Sequence, residues 1–397
     1  MTALKPNWAA RRSMQVLGTR ARANPPHLFI GNTQMSTQTL ADPNIGNETL
    51  AKQWAKKYVQ NLELETQDEQ LSDRLKLAKV VSQEGRERTA QTLSNTLRLV
   101  SAQAWNKTEA LLAKEVQRHH IDPRLINPWE IAADSFRIYD KVLAVYTQQG
   151  KPQNISVSVA MGAANGSAHF YEQEIEVQTD RIPPSRLATI VGGDIGTIRK
   201  KYTATDPRLI GFVSMQFHYT SQMLLELLSP VEQMLVGSYF KVIDDHLYMP
   251  LQRAYEAAAN LDYNSPILQA VQHWLPLGTE IAVAVCDRAI EQYPHYTSYT
   301  GKLSNPTVKI SSIRDVEMFQ VYLWVCALES NIDVVQQELF PLCVMLYPPL
   351  KVNWELVRSL VQFLNEEVRD RLAPRDFKIF SSYLQSVKMM FSPEVLS

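Results

Sequence analysis

The sequence predicts a mainly α-helical protein, and three observations carry that reading. Apolar residues recur at three- and four-residue spacing along most of the chain. Helix-start signatures with a cap, a proline and a glutamate occur at Asn127-Pro128-Trp129-Glu130 and Ser229-Pro230-Val231-Glu232. Glycine is scarce, 14 of 397 residues, which argues against a Gly-rich sandwich or a nucleotide-loop protein. The length predicts two or three domains, and 45% hydrophobic residues supply ample core.

Bulk chemistry narrows the function classes. A net charge of −1 gives no electrostatic footprint for nucleic acid, so no such partner is expected. Cys286, Cys326 and Cys343 lie far apart inside apolar helical patterns, which fits a reduced, cytoplasmic chain rather than a disulfide scaffold. No apolar run approaches the roughly 20 residues a bilayer requires, so no transmembrane segment is expected. Arg11 and Arg12 are not followed by the apolar stretch of a signal peptide.

Taken in order, residues 1–47 read as a disordered basic tail: Lys5, Arg11, Arg12, Arg20 and Arg22 precede the first acid, Asp42. A membrane-binding arm would need four to eight clustered basic residues, and these are dispersed. Residues 48–150 read as an N-terminal helical region. Trp54, Tyr58 and Leu62 mark one face, and Leu71, Leu75, Ala78 and Val81 the next. Leu93, Leu97, Val100 and Ala104 mark a third. Beyond Pro128, Ile131, Ile138, Val142 and Tyr146 form a broad apolar face.

Residues 151–206 read as one β-hairpin and a connector. Ile155, Val157, Val159 and Met161 alternate with small or polar residues, Gly162 to Ser167 supplies a turn with Asn165-Gly166 near its tip, and Ile175 and Val177 alternate with Glu174 and Glu176. In the connector, Gly192-Gly193-Asp194-Ile195-Gly196 matches neither the Walker A spacing nor G-x-G-x-x-G, so it reads as a turn before a helix.

From residue 207 to 397 the chain reads as almost continuous helix. Met249-Pro250 breaks it, Ser265-Pro266 restarts it, and Pro294 to Pro306 reads as a polar loop. About seven or eight helices result, a number that suits a globin-like arrangement of ridge-in-groove pairs. The stretch from Ser311 to Val357 stands at its centre. Ser312 reads as an N-cap with Asp315 three residues on, and Ile313, Val316, Phe319, Leu323 and Ala327 keep the helical period. Tyr322, Trp324, Val325 and Cys326 make this helix apolar on most sides, the mark of burial.

The same stretch resembles the phycobiliproteins, the bilin-carrying globin-like subunits of the cyanobacterial and red-algal antenna. Their Cys-Leu-Arg-Asp tetrad stands here as Ser312-Ile313-Arg314-Asp315. Ala284 to Pro294 is similar to the family's preceding helix. Tyr347, Leu350, Glu355 and Val357 fit its downstream pattern, with Lys351 and Asn353 where Gly and Pro are usual. Leu228-Ser229-Pro230-Val231-Glu232 resembles the opening of its early helices. The likeness runs from about Ile210 to Phe391.

The resemblance implies a C-terminal globin-like (phycobiliprotein-like) domain in which Arg314 faces a bilin propionate and Asp315 the pyrrole nitrogens. The attachment cysteine is replaced by Ser312, whose hydroxyl is hardly ionised at neutral pH, so a covalent bilin is not expected and non-covalent bilin or haem binding stays open. Cys286 and Cys326 are in the wrong register to substitute, and Cys343 is a similar case. Without the resemblance, Asp315 is a helix-capping carboxylate beside a salt-bridging Arg314. The implied role is a non-catalytic, phycobilisome-associated protein at the thylakoid periphery, in contact with antenna subunits or a second copy of itself. The alternatives are a non-covalent tetrapyrrole carrier or sensor, and an enzyme acting on tetrapyrroles. His218, His246 and His273 lack metal-ligand spacing and read as core or surface histidines, and Asp244-Asp245-His246 reads as a helix-surface triplet as readily as a ligand set. No hydrolase, zincin or kinase motif is present.

Overall fold

The computed structural model describes residues 48–58, 61–66, 74–161 and 171–396. The expected basic tail (1–47), Leu71, and the turn at Gly162 to Ser167 with Asn165-Gly166 lie outside them. The elements run α1 Leu50–Ala55, β1 Asn61–Thr66, α2 Arg74–Val81, α3 Gln83–Arg118, α4 Pro128–Tyr146, β2 Gln149–Met161, β3 Tyr171–Arg181 and α5 Pro184–Thr205. Then follow α6 Leu209–Leu225, α7 Pro230–Tyr248, α8 Leu251–Ala259, α9 Pro266–Trp274, α10 Gly278–Gln292, β4 Thr297–Ser298 and β5 Gly301–Lys302. The chain closes with α11 Pro306–Glu329, a π-helical turn Val335–Leu339, α12 Phe340–Leu346, α13 Trp354–Arg371 and α14 Pro374–Met390. The protein is mainly α-helical, as its periodicity predicts.

The helix starts follow the capping chemistry. The Asn127 side chain accepts from the Glu130 N–H, and Ser229 with Glu232 forms a capping box. Met249-Pro250 separates α7 from α8, as a proline that lacks an N–H must.

The hairpin gains a third strand. β2 and β3 pair antiparallel with Ile155 opposite Val177 and Val157 opposite Ile175. β1 adds in parallel to the free edge of β2, with Leu62 opposite Val157. So Leu62 does not continue the helical face of Trp54 and Tyr58; α1 stops at Ala55. A lone hairpin is marginal in water, and here Leu62 joins Ile155, Val157, Ile175 and Val177 under Leu77 and Val81 of α2 and Val231 and Leu235 of α7. A second, two-residue ladder of β4 and β5 lies within the polar loop expected between Pro294 and Pro306.

The connector is not a turn. Gly192, Gly193 and Gly196 sit inside α5, which runs from Pro184 to Thr205. Two of these glycines are contact points. A Cβ at Gly196 would lie 2.5 Å from Cβ and Cγ of Gln252 on α8, and one at Gly192 would lie 3.1 Å from the His246 ring on α7. Close helix approach, rather than phosphate binding, is what these glycines allow.

The main core runs without a break from Leu50 to Phe391, and α11 threads its middle, buried from Val316 to Leu328. The edges of Trp54 and Trp274 meet Trp324 at 6.0 and 6.1 Å. Polar groups on this helix are largely taken up, with Arg314 Nε and Trp324 Nε1 left without a partner among the described residues. Gln320 accepts from Trp274 Nε1 at 2.8 Å and donates to Gly278 O at 2.9 Å. Tyr322 accepts from Arg199, which also pairs with Glu338 at 3.0 Å. Glu317 meets Lys57 at 2.7 Å and Thr279 at 2.6 Å, and burial of such carboxylates is tolerable only when paired. Among the described residues, no helix is long and apolar enough to cross a membrane.

Candidate functional site

On one flank of α11 the helices part to leave a cleft with a cavity volume of about 150 Å³. Its floor and walls come from α6 (Met215, His218), α7 (Asp244, Leu247, Tyr248), the first half of α11 (Ser312, Arg314, Asp315, Val316, Phe319), the end of α12 (Leu346) with Tyr347 and Leu350 just beyond it, and α13 (Leu356, Val357, Leu360, Val361). The β4–β5 ladder forms one edge through Ser298, Tyr299 and Thr300, and Tyr299 is exposed. The lining is mostly aliphatic and aromatic, with a few polar groups gathered on α7 and α11. That distribution is typical of a small-molecule site.

Arg314 is the centre of the polar group. Its Nη1 lies 3.4 Å from Asp244 Oδ2, and its guanidinium carbon sits 4.7 Å from the centroid of the Tyr248 ring. The Tyr248 hydroxyl donates to Asp315 Oδ1 at 3.0 Å, so one aromatic side chain touches both members of the Arg-Asp pair. Arg314 Nε is buried and meets no acceptor among the described residues. The ion pair with Asp244 is long for a guanidinium–carboxylate contact, which ordinarily closes to below 3 Å. Arg314, which lines the cleft, thus keeps donor capacity in reserve.

Burial pushes both carboxyls up to about 6, against the lowering pull of Arg314. For Asp244 the neighbouring Asp245 adds to the rise. Burial likewise pushes His218 down to about 3, helped by the Arg314 charge, so its imidazole is neutral at physiological pH. Near pH 6 this wall changes its charge state, from two carboxylates around one guanidinium to an excess of positive charge as they protonate.

Ser312 departs from its expected role. α11 begins seven residues earlier than expected, where Asn305 caps it through the Thr307 N–H and Pro306 takes the first position. Ser312 is inside the helix and donates to Val308 O at 3.0 Å. Asp315 is therefore no capping carboxylate; it is a mid-helix acid turned towards Tyr248 and the cleft. Of the residues singled out by the sequence, Ser312, Arg314, Asp315, Tyr347, Leu350 and Val357 all come to this one cleft.

Other readings resolve differently. Asp244, Asp245 and His246 are no surface triplet. Consecutive residues point about 100° apart on a helix, and these take three destinations. Asp244 faces Arg314, while Asp245 accepts from Tyr58 at 3.1 Å and pairs with Lys241 at 3.0 Å. His246 is buried against Val242 O at 2.9 Å. His273 pairs with Asp376 at 2.7 Å, and neither lines the cleft. Among the described residues no cluster of His, Cys, Asp and Glu is arranged to hold a metal ion. Tyr248 escapes the sequence reading and Asp244 enters it only within the surface triplet, because both lie about 70 residues before Arg314; their one local signal is an acidic and an aromatic residue four apart near the end of an apolar helix.

No family model, curated protein or solved structure matches this chain.

Proposed function

We propose that this chain is a non-catalytic, antenna-associated protein that holds a linear tetrapyrrole of the bilin class, without a covalent bond, in the cleft beside α11. The observation that carries this reading is the convergence of Arg314 and Asp315 on a mostly apolar cleft, with Arg314 Nε buried and unpartnered. A bilin presents an extended apolar face, two propionates and a row of pyrrole N–H groups. The aliphatic residues of α13 suit the first, the uncommitted N–H of Arg314 suits a propionate, and Asp315 has one oxygen engaged by Tyr248 and one left to accept from pyrrole nitrogens. Bound there, the pigment would supply light absorption, and the protein would bind it, orient it and keep water from it. Ser312 lines the cleft where the family carries its thiol, and a serine hydroxyl forms no thioether. The globin-like arrangement, the position at the cytoplasmic face of the thylakoid, and contact with antenna subunits or a second copy belong to the same reading.

The test is a titration of the purified full chain with biliverdin, followed by visible absorbance and induced circular dichroism. The parent is expected to bind and to lose all colour on a denaturing gel. Arg314→Met, which keeps the packing length and removes the charge, is expected to weaken binding at least tenfold, in line with one lost charge-assisted hydrogen bond. A folded parent that leaves biliverdin free, or an Arg314→Met variant that binds as tightly as the parent, overturns the proposal.

A further inference from the structure

The cleft has a second polar pole, on α6. Ser214 and His218 lie one turn apart on that helix, and both line the cleft, as Arg314 of α11 does. Ser214 is 7% exposed, and its hydroxyl meets no partner among the described residues. A helical serine can spend its hydroxyl on the carbonyl four residues back, and this one does not. His218 is half-buried; its ring meets that of Tyr219 at 5.6 Å, and it makes no hydrogen bond among the described residues. Donors elsewhere on α6 are spent. Gln216 donates to Ser101 O at 2.9 Å, and Thr220 donates to Gln216 O at 2.8 Å. The side chains turned to α3 are therefore paired, and those turned to the cleft are open.

The open groups are uncharged. Burial pushes His218 down to about 3, and the charges of Arg314 and Lys107 push the same way. A neutral imidazole carries one N–H donor and one lone pair, and a serine hydroxyl likewise both donates and accepts. A carboxylate offers acceptors alone and finds its charge complement in Arg314. The pair on α6 instead matches a group that presents a C=O and an N–H side by side, which is a lactam. The two terminal rings of a bilin are lactams. The cavity of about 150 Å³ is of the size that holds a single benzene ring, so one ring of the pigment is enclosed rather than its whole length.

We propose that Ser214 and His218 seat one terminal lactam ring of the pigment through hydrogen bonds to its C=O and N–H, while Arg314 takes a propionate. The inference rests on the pigment reading and adds the residues that decide which part of the ligand enters the cavity. These contacts go to uncharged groups, so they persist when the propionates are esterified, whereas the ion pair of Arg314 does not.

The test titrates the full chain with biliverdin and with its dimethyl ester, which keeps both lactams and blocks both carboxylates. His218→Leu is expected to weaken binding of each pigment about fivefold, the worth of one neutral hydrogen bond, and Ser214→Ala to act in the same direction. Arg314→Met is expected to weaken the free acid alone. His218→Gln, whose amide again offers a donor and an acceptor, is expected to restore most of the affinity. In the parent, the infrared stretch of one lactam carbonyl should fall on binding, a shift that His218→Leu removes. Parent-like binding of both pigments by His218→Leu and Ser214→Ala overturns the inference and leaves the pigment reading standing. A loss confined to the free acid also overturns it, because His218 would then serve a carboxylate. A parent that leaves both pigments free overturns the pigment reading and this inference with it.

Discussion

Replacing Asp315 by Asn is expected to stabilise the protein at neutral pH, although Asp315 belongs to the candidate site. Burial raises the folded-state carboxyl from 3.8 to about 6. At about 1.4 kcal/mol per pH step, that difference corresponds to ~3 kcal/mol. The sign follows from linkage. The unfolded chain releases this proton near 3.8 and the folded one only near 6, so the carboxyl's favourable contribution is whole below 3.8 and is lost as pH rises through about 6. Asp315 is half-buried rather than sealed, so solvent screening reduces the figure to roughly 1–2 kcal/mol. Asparagine carries no charge and still offers an oxygen to Tyr248. Urea unfolding followed through the buried Trp274 and Trp324 is the assay. At pH 7.5 the variant should be the more stable by roughly 1–2 kcal/mol, and at pH 4 the two should coincide. A variant that is less stable at pH 7.5, or a gap that is the same at both values, would refute the placement of Asp315 in a desolvated wall. The same substitution is expected to weaken biliverdin binding, because a site that stores unfavourable charge for a ligand trades stability for function.

Two further predictions follow from packing. Gly193→Ala should stabilise by roughly 0.5–1 kcal/mol, since no atom lies within 4 Å of the added carbon and alanine is the better helix former. Gly196→Ala should destabilise by about 1–3 kcal/mol because α5 and α8 must separate to admit the methyl group; equal thermal midpoints for the two variants would contradict the helix contact. The three cysteines are free and buried, and burial pushes Cys326 up to about 12 and Cys286 and Cys343 higher still. An aromatic disulfide reagent at pH 8 should therefore find no thiol in the native protein and three after denaturation in urea; rapid native labelling would show that the core around α11 opens.

Much of the helical skeleton was legible in the chain. The caps at Asn127 and Ser229, the break at Met249-Pro250 and the burial of Val316 to Leu328 depend on neighbours within a turn or two, and local pattern reports such neighbours well. The misread elements are those decided elsewhere. β1 exists because β2 presents a free edge about 95 residues later in the chain, and no local pattern in Asn61–Thr66 announces that partner. α5 keeps three glycines that propensity would call a turn, because at two of them a closely packed neighbour requires the missing side chain. The start of α11 moved from Ser312 to Asn305 because either residue can cap, at a preference of only about 1 kcal/mol, and the longer helix buries Val308 as well.

By itself, the sequence determined the helical class, the apolar faces and the chemistry held in the pair Arg314 and Asp315. Periodicity fixes where a side chain points around its own helix axis. It is silent on which helix comes to meet it. Tertiary structure alone brought Asp244 and Tyr248 of α7 to Arg314 and Asp315 of α11 and opened the cleft against α13. Desolvation and charge pairing act through space over a few ångströms, so the protonation states that give this wall its character could arise only once those separate segments were packed together.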